Sequence, residues 1–403
     1  MKSVWQTKKL GEVCAVIGGG TPPKGRADFY SGDIHWATVR DMRREVISET
    51  EFKITKEAVR SSSTNVIPKG NVVIATRVGL GKVCLLEHDT AINQDLRGII
   101  PQNLQVLSVG FLFWWLKSIA HVIEEEGTGA TVKGVKLPFI KSLPIPLPPL
   151  PEQHRIVAIL DEAFTGIATA KANAKTNLKN ARELFESYLN SIFMQKWTGW
   201  VEKRIGDVAN TQYGLSEPMN EEGKGFKIFR MGEVQDGRLI DTGLMKFADI
   251  NQVEFEKYKL QKGDVLFNRT NSYELVGKTG IFDMLGNYCF ASYLVRVLPN
   301  RNALLPEFLN YFMNSKIFQY SVKQKASKSI NQANINATIL SNESIRFPES
   351  TKEQKIIVTN LDSIRAETKR LESLYQKKLL ALDELKQSLL HQAFTGQLSG
   401  SLP

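Results

Sequence analysis

Several short stretches have the residue types of catalytic or cofactor-binding motifs, and each fails at a position its chemistry needs. Ala15–Pro23, AVIGGGTPP, has the glycines of a dinucleotide loop. It lacks the GxGxxG register, and two prolines stand where a helix should open on the phosphates. Gly277-Lys278-Thr279 has the end of a P-loop, but the glycine needed five positions earlier is Ser272. Gly79–Val83 fails twice, with Thr76 at that place and Val83 after the lysine. A methyltransferase acting on a base amine needs Asn/Asp-Pro-Pro-aromatic to hold the amine. The Pro-Pro pairs here lie in TPPK and LPPL. Glu51-Phe52-Lys53 with Asp41 upstream loosely matches a nuclease triad, a pattern short enough to arise by chance. The five histidines, His35, His88, His121, His154 and His391, show no HExxH and no partner at ligand spacing, so no metal site is expected. His154 is expected on a helix surface.

Other stretches suit nucleic acid, which is read by Arg, Lys, Asn, Gln, Ser and Thr on loops. The Gly-rich loop offers Thr21, Lys24 and Arg26, and its glycines could bring backbone N–H groups to a phosphate. The plainer alternative is a turn between strands. Arg40, Arg43 and Arg44 near Trp36 could track a phosphate backbone, or form a solvated face. Gly127–Lys136, GTGATVKGVK, offers Thr128, Thr131, Lys133 and Lys136. Lys323–Asn336, KQKASKSINQANIN, holds the equivalent place later in the chain and offers Lys325, Lys328, Asn331, Gln332 and Asn334. Asn and Gln can pair bidentately with adenine. Phe267–Glu274, FNRTNSYE, adds Arg269, Asn271 and Tyr273.

The composition agrees with an acidic partner. The 403 residues have a formal charge of +10 and a pI near 9.3, which favours nucleic acid first and a membrane surface second. Apolar residues make up 42%, enough for two domains to bury cores. Cys14, Cys84 and Cys289 are scattered and form no CxxC pair or disulfide framework, which suits a reducing cytosol. The N-terminus MKSVWQTKKLGEV has no apolar signal region. No apolar run reaches the roughly 20 residues of a membrane span. Val109–Ala120, VGFLFWWLKSIA, reads as a buried helix.

The elements that must position these loops are written twice. VWQTKKLGEV (Val4–Val13) matches GWVEKRIGDV (Gly199–Val208), with Trp5 on Trp200 and Gly11 on Gly206, an offset of 195. IPKGNVVI (Ile67–Ile74) matches LQKGDVLF (Leu260–Phe267), a turn leading into a strand. Leu107–Ser118 parallels Leu304–Ser315, both helix-like. EQ..IV..LD in Glu152–Asp161 recurs at Glu353–Asp362, an offset of 201. The drifting offset means loops of different length between matching elements. Each copy reads as a globular mixed α/β domain followed by a long helix.

In LPPLPEQHRIVAILDEAF the prolines bar a helix, and the helical spacing begins at Glu152. From there to Met194 apolar or small residues alternate steps of 4 and 3, through Ile156, Leu160, Ala163, Ile167, Ala170, Ala174, Leu178, Ala181, Phe185, Tyr188 and Ile192. From Glu353 to Phe394 the seam is Ile357, Leu361, Ile364, Leu371, Tyr375, Leu379, Leu382, Leu385 and Leu389. Such a stripe, about 65 Å long at 1.5 Å per residue, is too long for one globule to cover. Each helix is therefore expected to bury it on the other, antiparallel, with Ile156, Leu160, Ile167, Leu178, Ile357, Leu361, Leu371 and Leu382 in the pairing face. The fold class is α/β (α+β), two globules separated and followed by two long helices in an antiparallel coiled coil, with an internal pseudo-two-fold repeat. The boundaries are 1–150, 151–196 for the first helix, 197–350, and 351–403 for the second helix and tail.

LPIPLPPLPEQHRIVAILDEAF (Leu143–Phe164), its repeat at Glu353–Asp362 and the closing SLLHQAFTGQL (Ser388–Leu398) resemble the specificity subunit of type I restriction-modification systems. VIGGGTPPKG and FYSGDIHWATVRDM (within Val16–Met42) are similar to the opening of that family's target-recognition domains, as is FKIFRMGEVQDGRL (Phe226–Leu239). The resemblance covers nearly the whole chain in the family's order. The second copy departs from it in having ESTKEQK where the first has LPPLPEQH. The resemblance implies a cytoplasmic, non-catalytic subunit of a complex that methylates adenine and cleaves DNA. Each recognition domain would read one half of a bipartite double-stranded target. The helices would set the spacing and dock two modification (methyltransferase) subunits, and restriction subunits would join. S-adenosylmethionine, ATP and Mg would sit on those partners, with no cofactor on this chain. Two readings compete with it, a single-chain DNA methyltransferase or nuclease, and a structural coiled-coil protein whose globules bind protein.

Overall fold

The chain leaves the strand Pro144–Leu147 and turns helical at Leu150. Pro151 is accommodated because a proline in the first helical turn gives up an N–H that has no intrahelical partner. The helix therefore opens two residues before the expected Glu152 and runs Leu150–Met194; its repeat runs Thr351–Phe394 without any proline run before it. These are called the central and C-terminal helices. A computed structural model describes residues 5–128, 134–195, 197–330 and 332–398. The chain forms two compact units, Met1–Lys175 with Lys377–Pro403, and Thr176–Gln376. Each unit thus holds one globule and a segment of each long helix.

In the first unit a five-stranded sheet has the spatial order Cys14–Gly18, Leu96–Pro101, Val72–Ala75, Val83–Leu86, Val46–Ile47. Its pairings are antiparallel except the last, which is parallel. A second sheet orders Phe52–Ile54, Ile34–Ala37, Thr90–Ile92, Asn65–Ile67. The second unit repeats both. Ala209–Tyr213, Leu294–Pro299, Val265–Asn268, Thr279–Ile281 and Arg238–Leu239 form the same sequence of antiparallel pairs followed by a parallel one, and Val234–Gln235 adds a sixth, antiparallel strand at the edge. Phe226–Phe229 pairs parallel with Tyr288–Phe290, as Ile34–Ala37 does with Thr90–Ile92. The Lys-Gly-Asn/Asp turns at 69–71 and 262–264 lead into buried strands, as their sequence implies.

The apolar stretch after Leu107 forms the helix Val109–Ser118, with Phe111 through Leu116 all buried. Its counterpart is Pro306–Asn314. These two short helices are what the long helices pack on. In the first unit Phe111, Trp114 and Trp115 share a core with Ile156, Leu160, Phe164 and Ile167, and with Leu390 and Ala393. In the second, Phe308 and Phe312 share one with Leu189, Ile192, Phe193, Val358 and Leu361.

Of the expected pairing face, Ile156, Leu160, Ile167 and Leu361 are buried, and Leu178, Ile357, Leu371 and Leu382 are half-buried. Within each unit the helix segments run antiparallel. Lys171 pairs with Asp383 in the first unit, where Arg155 also donates to the carbonyl of Leu398 at 3.3 Å. Arg182 pairs with Glu372 at 3.3 Å in the second. Two features depart from the expected stripe. Leu385 is 46% exposed, and the neighbouring Lys386 lies inward with its ammonium 4.9 Å from the Phe164 ring centroid. Thr368 is buried in the gap between Ile364 and Leu371, its hydroxyl donating to the Arg365 carbonyl at 2.9 Å. A strict heptad drifts around a straight helix, and a hydroxyl bonded to its own backbone fits an apolar seam.

Candidate nucleic-acid interface

The strand Ile34–Ala37 ends in a tight turn at Thr38, where Asp41 Oδ2 accepts from the Thr38 N–H at 2.7 Å and from its hydroxyl at 3.0 Å. The equivalent strand Phe226–Phe229 ends at Arg230, where Glu233 accepts from the Arg230 N–H at 2.8 Å and from its guanidinium at 2.9 Å. The acid three residues on is spent in closing the turn, which presents the residues between it and the strand to solvent. Asp41 is therefore a structural cap rather than a metal ligand. Its other oxygen accepts from the Glu51 N–H at 2.8 Å, and Glu51 itself lies 3.6 Å from Arg40. Among the described residues no group of His, Cys, Asp and Glu could hold a metal ion.

Around each turn opens a cleft. In the first unit it measures about 780 Å³, and its lining includes Thr21, Lys24, Thr38, Arg40, Val78, Asn93 and Gln94. In the second it measures about 880 Å³, and its lining includes Met219, Arg230, Met231, Lys246, Asn271, Lys278 and Tyr293. The same loops build both. These are the segment after the first sheet strand, the turn after Ile34–Ala37 or Phe226–Phe229, the segment after Val72–Ala75 or Val265–Asn268, and the bend at 93–95 or 291–293. The position in the fold is shared, and the residues presented there differ.

The sequence-predicted residues divide over this geometry. Thr21 reaches the cleft and donates to Gln94 Oε1, and Lys24 and Arg40 line it. Arg26 is turned onto Asp28, with bonds of 2.9 and 2.6 Å, and stacks 4.3 Å from the Phe29 ring. Arg43 donates to the Arg40 carbonyl at 3.0 Å and, with Arg44, lines a separate recess. The glycines before Thr21 are needed for a backbone crossing, not a phosphate. A Cβ on Gly19 would stand 2.1 Å from the Asn93 carbonyl oxygen, and the Gly20 N–H is taken by the Ile92 carbonyl at 3.0 Å. Thr128 makes a backbone bridge to Gly134, while Thr131 and Lys133 lie outside the described residues.

In the second unit Ser327–Ser329 and Gln332–Asn334 form a hairpin that pairs with Thr270–Asn271. Its exposed Gln332 and Lys328 face solvent, the Lys328 ammonium 4.2 Å from the Tyr273 ring centroid. Asn331 lies outside the described residues. Asn271 lines the cleft. Arg269 and Asn334 turn inward. Arg269 bonds Asn334 Oδ1 at 3.3 Å and stacks 4.9 Å from the Tyr213 ring, and the Asn334 amide donates to Thr270 Oγ1 at 2.8 Å. These two brace the hairpin. Sequence reading missed Gln94, Arg230, Lys246, Lys278 and Tyr293. Lys278 was within reach, because Gly81-Lys82 and Gly277-Lys278 recur in the repeat.

The cysteines take no part. Burial pushes the thiols of Cys14 and Cys289 up to about 12 and that of Cys84 to about 11, so all three stay protonated and unreactive.

The sequence profile of the type I restriction modification DNA specificity domain matches this chain twice, over residues 2–180 and 198–380. The chain belongs to this family. As a family member it is a specificity subunit of a type I restriction-modification system, a non-catalytic component. The EcoKI specificity subunit of Escherichia coli K12 is 26% identical over 98% of this chain and 89% of its own length. The MjaIX specificity subunit of Methanocaldococcus jannaschii is 26% identical, and the match spans 64% of this chain and 63% of that protein. Two solved structures share the fold over 98% of this chain. One, from a study of the assembly and conformational transition of a type I system, has a TM-score of 0.77 at 22% identity. The other, the HsdS subunit of Thermoanaerobacter tengcongensis, has 0.66 at 23%. No helix among the described residues is long and apolar enough to cross a membrane.

Proposed function

We propose that each globule reads one half of a bipartite double-stranded DNA target through the loops around its cleft. The observation that carries this is the pair of equivalent clefts with unlike linings, Lys24, Arg40 and Gln94 in one, Arg230, Lys278 and Asn271 in the other. Two unlike half-sites call for one scaffold with two sets of side chains. Lysines and arginines there would take phosphates, and the exposed amide of Gln332 and the half-buried amide of Asn271 would meet base edges. Residues 1–150 and 197–350 are the two recognition domains in this reading. The helices 151–196 and 351–403 fix the spacing between half-sites and offer faces to two modification subunits. Restriction subunits join that assembly in the cytoplasm. S-adenosylmethionine, ATP and Mg belong to the partners, and this chain holds none of them.

The test is coexpression with the methyltransferase subunit of the same operon, followed by single-molecule sequencing for modified adenines. A split motif with an unread spacer, present only with this chain, supports the reading. A stable complex without modification, or modification by this chain alone, sinks it.

A further inference from the structure

Beside their shared apolar cores, four contacts of charged side chains join the long helices among the described residues, two in each unit. In the first, Lys171 of the central helix pairs with Asp383, and Lys386 lies 4.9 Å from the Phe164 ring. In the second, Arg182 pairs with Glu372 at 3.3 Å, and the Arg365 guanidinium lies 5.7 Å from the Phe185 ring. The offset of 201 makes Lys171 equivalent to Glu372 and Arg182 to Asp383. It makes Phe164 equivalent to Arg365 and Phe185 to Lys386. Every bridging position therefore changes character between the copies. The central helix supplies a base and an aromatic ring, and the C-terminal helix answers with an acid and a cation. Some positions keep the same residue in both copies, as at Gln153 and Gln354, Leu160 and Leu361, and Leu178 and Leu379. Size alternates too. Ala170, Ala174 and Ala181 stand where the C-terminal helix has Leu371, Tyr375 and Leu382. Ala174 and Ala181 are only 2% and 5% exposed, so larger neighbours cover them.

We propose that this seam is a pairing code, which accepts the unlike helix and rejects a second copy of the same one. The observed contacts fix what a like pairing would bring together. Two C-terminal helices would set Glu372 against Asp383 and Arg365 against Lys386, both like-charged. Two central helices would set Lys171 against Arg182 and line the seam with alanines on both sides. Attraction to the right partner is written in all four positions. Repulsion of the wrong one is written in all four for two C-terminal helices, and at Lys171 against Arg182 for two central helices, whose Phe164 and Phe185 would only meet ring to ring. The partner that fits either surface is a helix with the complementary half of the code, in this chain or in a second copy of it. If each globule reads one half-site, as proposed above, the code keeps the two readers unlike and bars a like pair that would read a symmetric site.

The test uses the full chain and its thermal melting at low and high salt. In the first variant Arg365→Phe, Glu372→Lys, Asp383→Arg and Lys386→Phe give the C-terminal helix the central helix's residues. Its midpoint is expected to fall by about 5 °C or more, with the deficit partly closed by salt. The second variant adds Phe164→Arg, Lys171→Glu, Arg182→Asp and Phe185→Lys, which exchanges the code. Its midpoint is expected to return to within about 2 °C of the parent. A first variant that melts like the parent, or an exchanged variant that stays low, overturns the proposal. If the first variant gives no folded protein, Asp383→Lys alone and with Lys171→Glu reads the same question on one pair, and no recovery in the double variant overturns it. These readouts involve no DNA, so they stand or fall separately from the recognition reading.

Discussion

The phenol of Tyr311 donates to Asp362 Oδ1 at 2.6 Å, and in the other unit the indole of Trp114 donates to Asp161 Oδ1 at 2.8 Å. Asp161 and Asp362 are the same position of the repeated helix, and their donors come from the equivalent short helices. Two different aromatic donors thus fasten each long helix to its globule. Burial, and next the hydrogen bond to Asp362, push the Tyr311 phenol up to about 12.

Tyr311→Phe should cost about 1 kcal/mol at pH 8, because the buried ring loses its hydrogen bond to the exposed Asp362 carboxylate. The folded pKa lies above the unfolded one, so the tyrosine's contribution is complete below about pH 10. It is lost as pH rises towards 12. The stability gap between parent and Tyr311→Phe should therefore shrink from pH 10 upward in urea melts. A gap that widens with pH would mean the phenol ionises more readily in the fold.

Gln153 and Gln354 are both 0% exposed and make matching sets of bonds. Gln153 accepts from the Ser108 N–H at 2.9 Å and donates to the carbonyls of Val106 and Pro148 at 2.7 and 2.9 Å. Gln354 accepts from Leu305 at 2.8 Å and donates to Ala303 and Pro348, both at 2.8 Å. This is why EQ is written at both helix starts: the amide stitches the helix to a loop and to the preceding strand. Gln153→Leu or Gln354→Leu leaves three backbone groups short of partners and should cost about 3 kcal/mol in denaturant melts. A loss below about 1 kcal/mol would mean that water replaces the amide.

The repeat, the two long helices and most of their seam were legible because side-chain spacing and self-similarity are local properties of the sequence. Leu385 and Thr368 were not, because a heptad template assumes strict apolar repetition, whereas the real seam admits a lysine over a ring and a self-bonded hydroxyl. The clefts were legible only in part. Each gathers loops separated by tens of residues, and no spacing rule brings Lys24 beside Gln94. Side-chain direction was also hidden. Arg269 and Asn334 have the chemistry of base readers, yet both are bonded to each other inside the hairpin.

Leu371→Asp and Leu385→Asp separate the real seam from the template. Leu371 is half-buried, so a carboxylate there should cost about 1–2 kcal/mol. Leu385 is 46% exposed, and its change should stay within about 0.5 kcal/mol. Equal losses at both positions, read by thermal melting, would place Leu385 back in the contact.

Lys24 and Arg40 are exposed on the first cleft, and neither is needed for the core. If they meet phosphates, Lys24→Ala with Arg40→Ala should weaken binding of DNA carrying the target about equally for all sequences, and should lower the slope of log affinity against log salt by about 2. The melting midpoint should barely move, since Arg40 gives up only a solvated contact to Glu51 at 3.6 Å. Gln332→Ala should behave differently. An amide that reads a base costs about 1–3 kcal/mol of discrimination at one position of one half-site and leaves the salt slope alone. Titrations of both variants at several salt concentrations, against targets altered in each half, distinguish these outcomes. A Gln332→Ala chain that keeps full discrimination in both halves would remove the hairpin from the reading surface and leave the second cleft, with Asn271 and Lys278, to read that half alone.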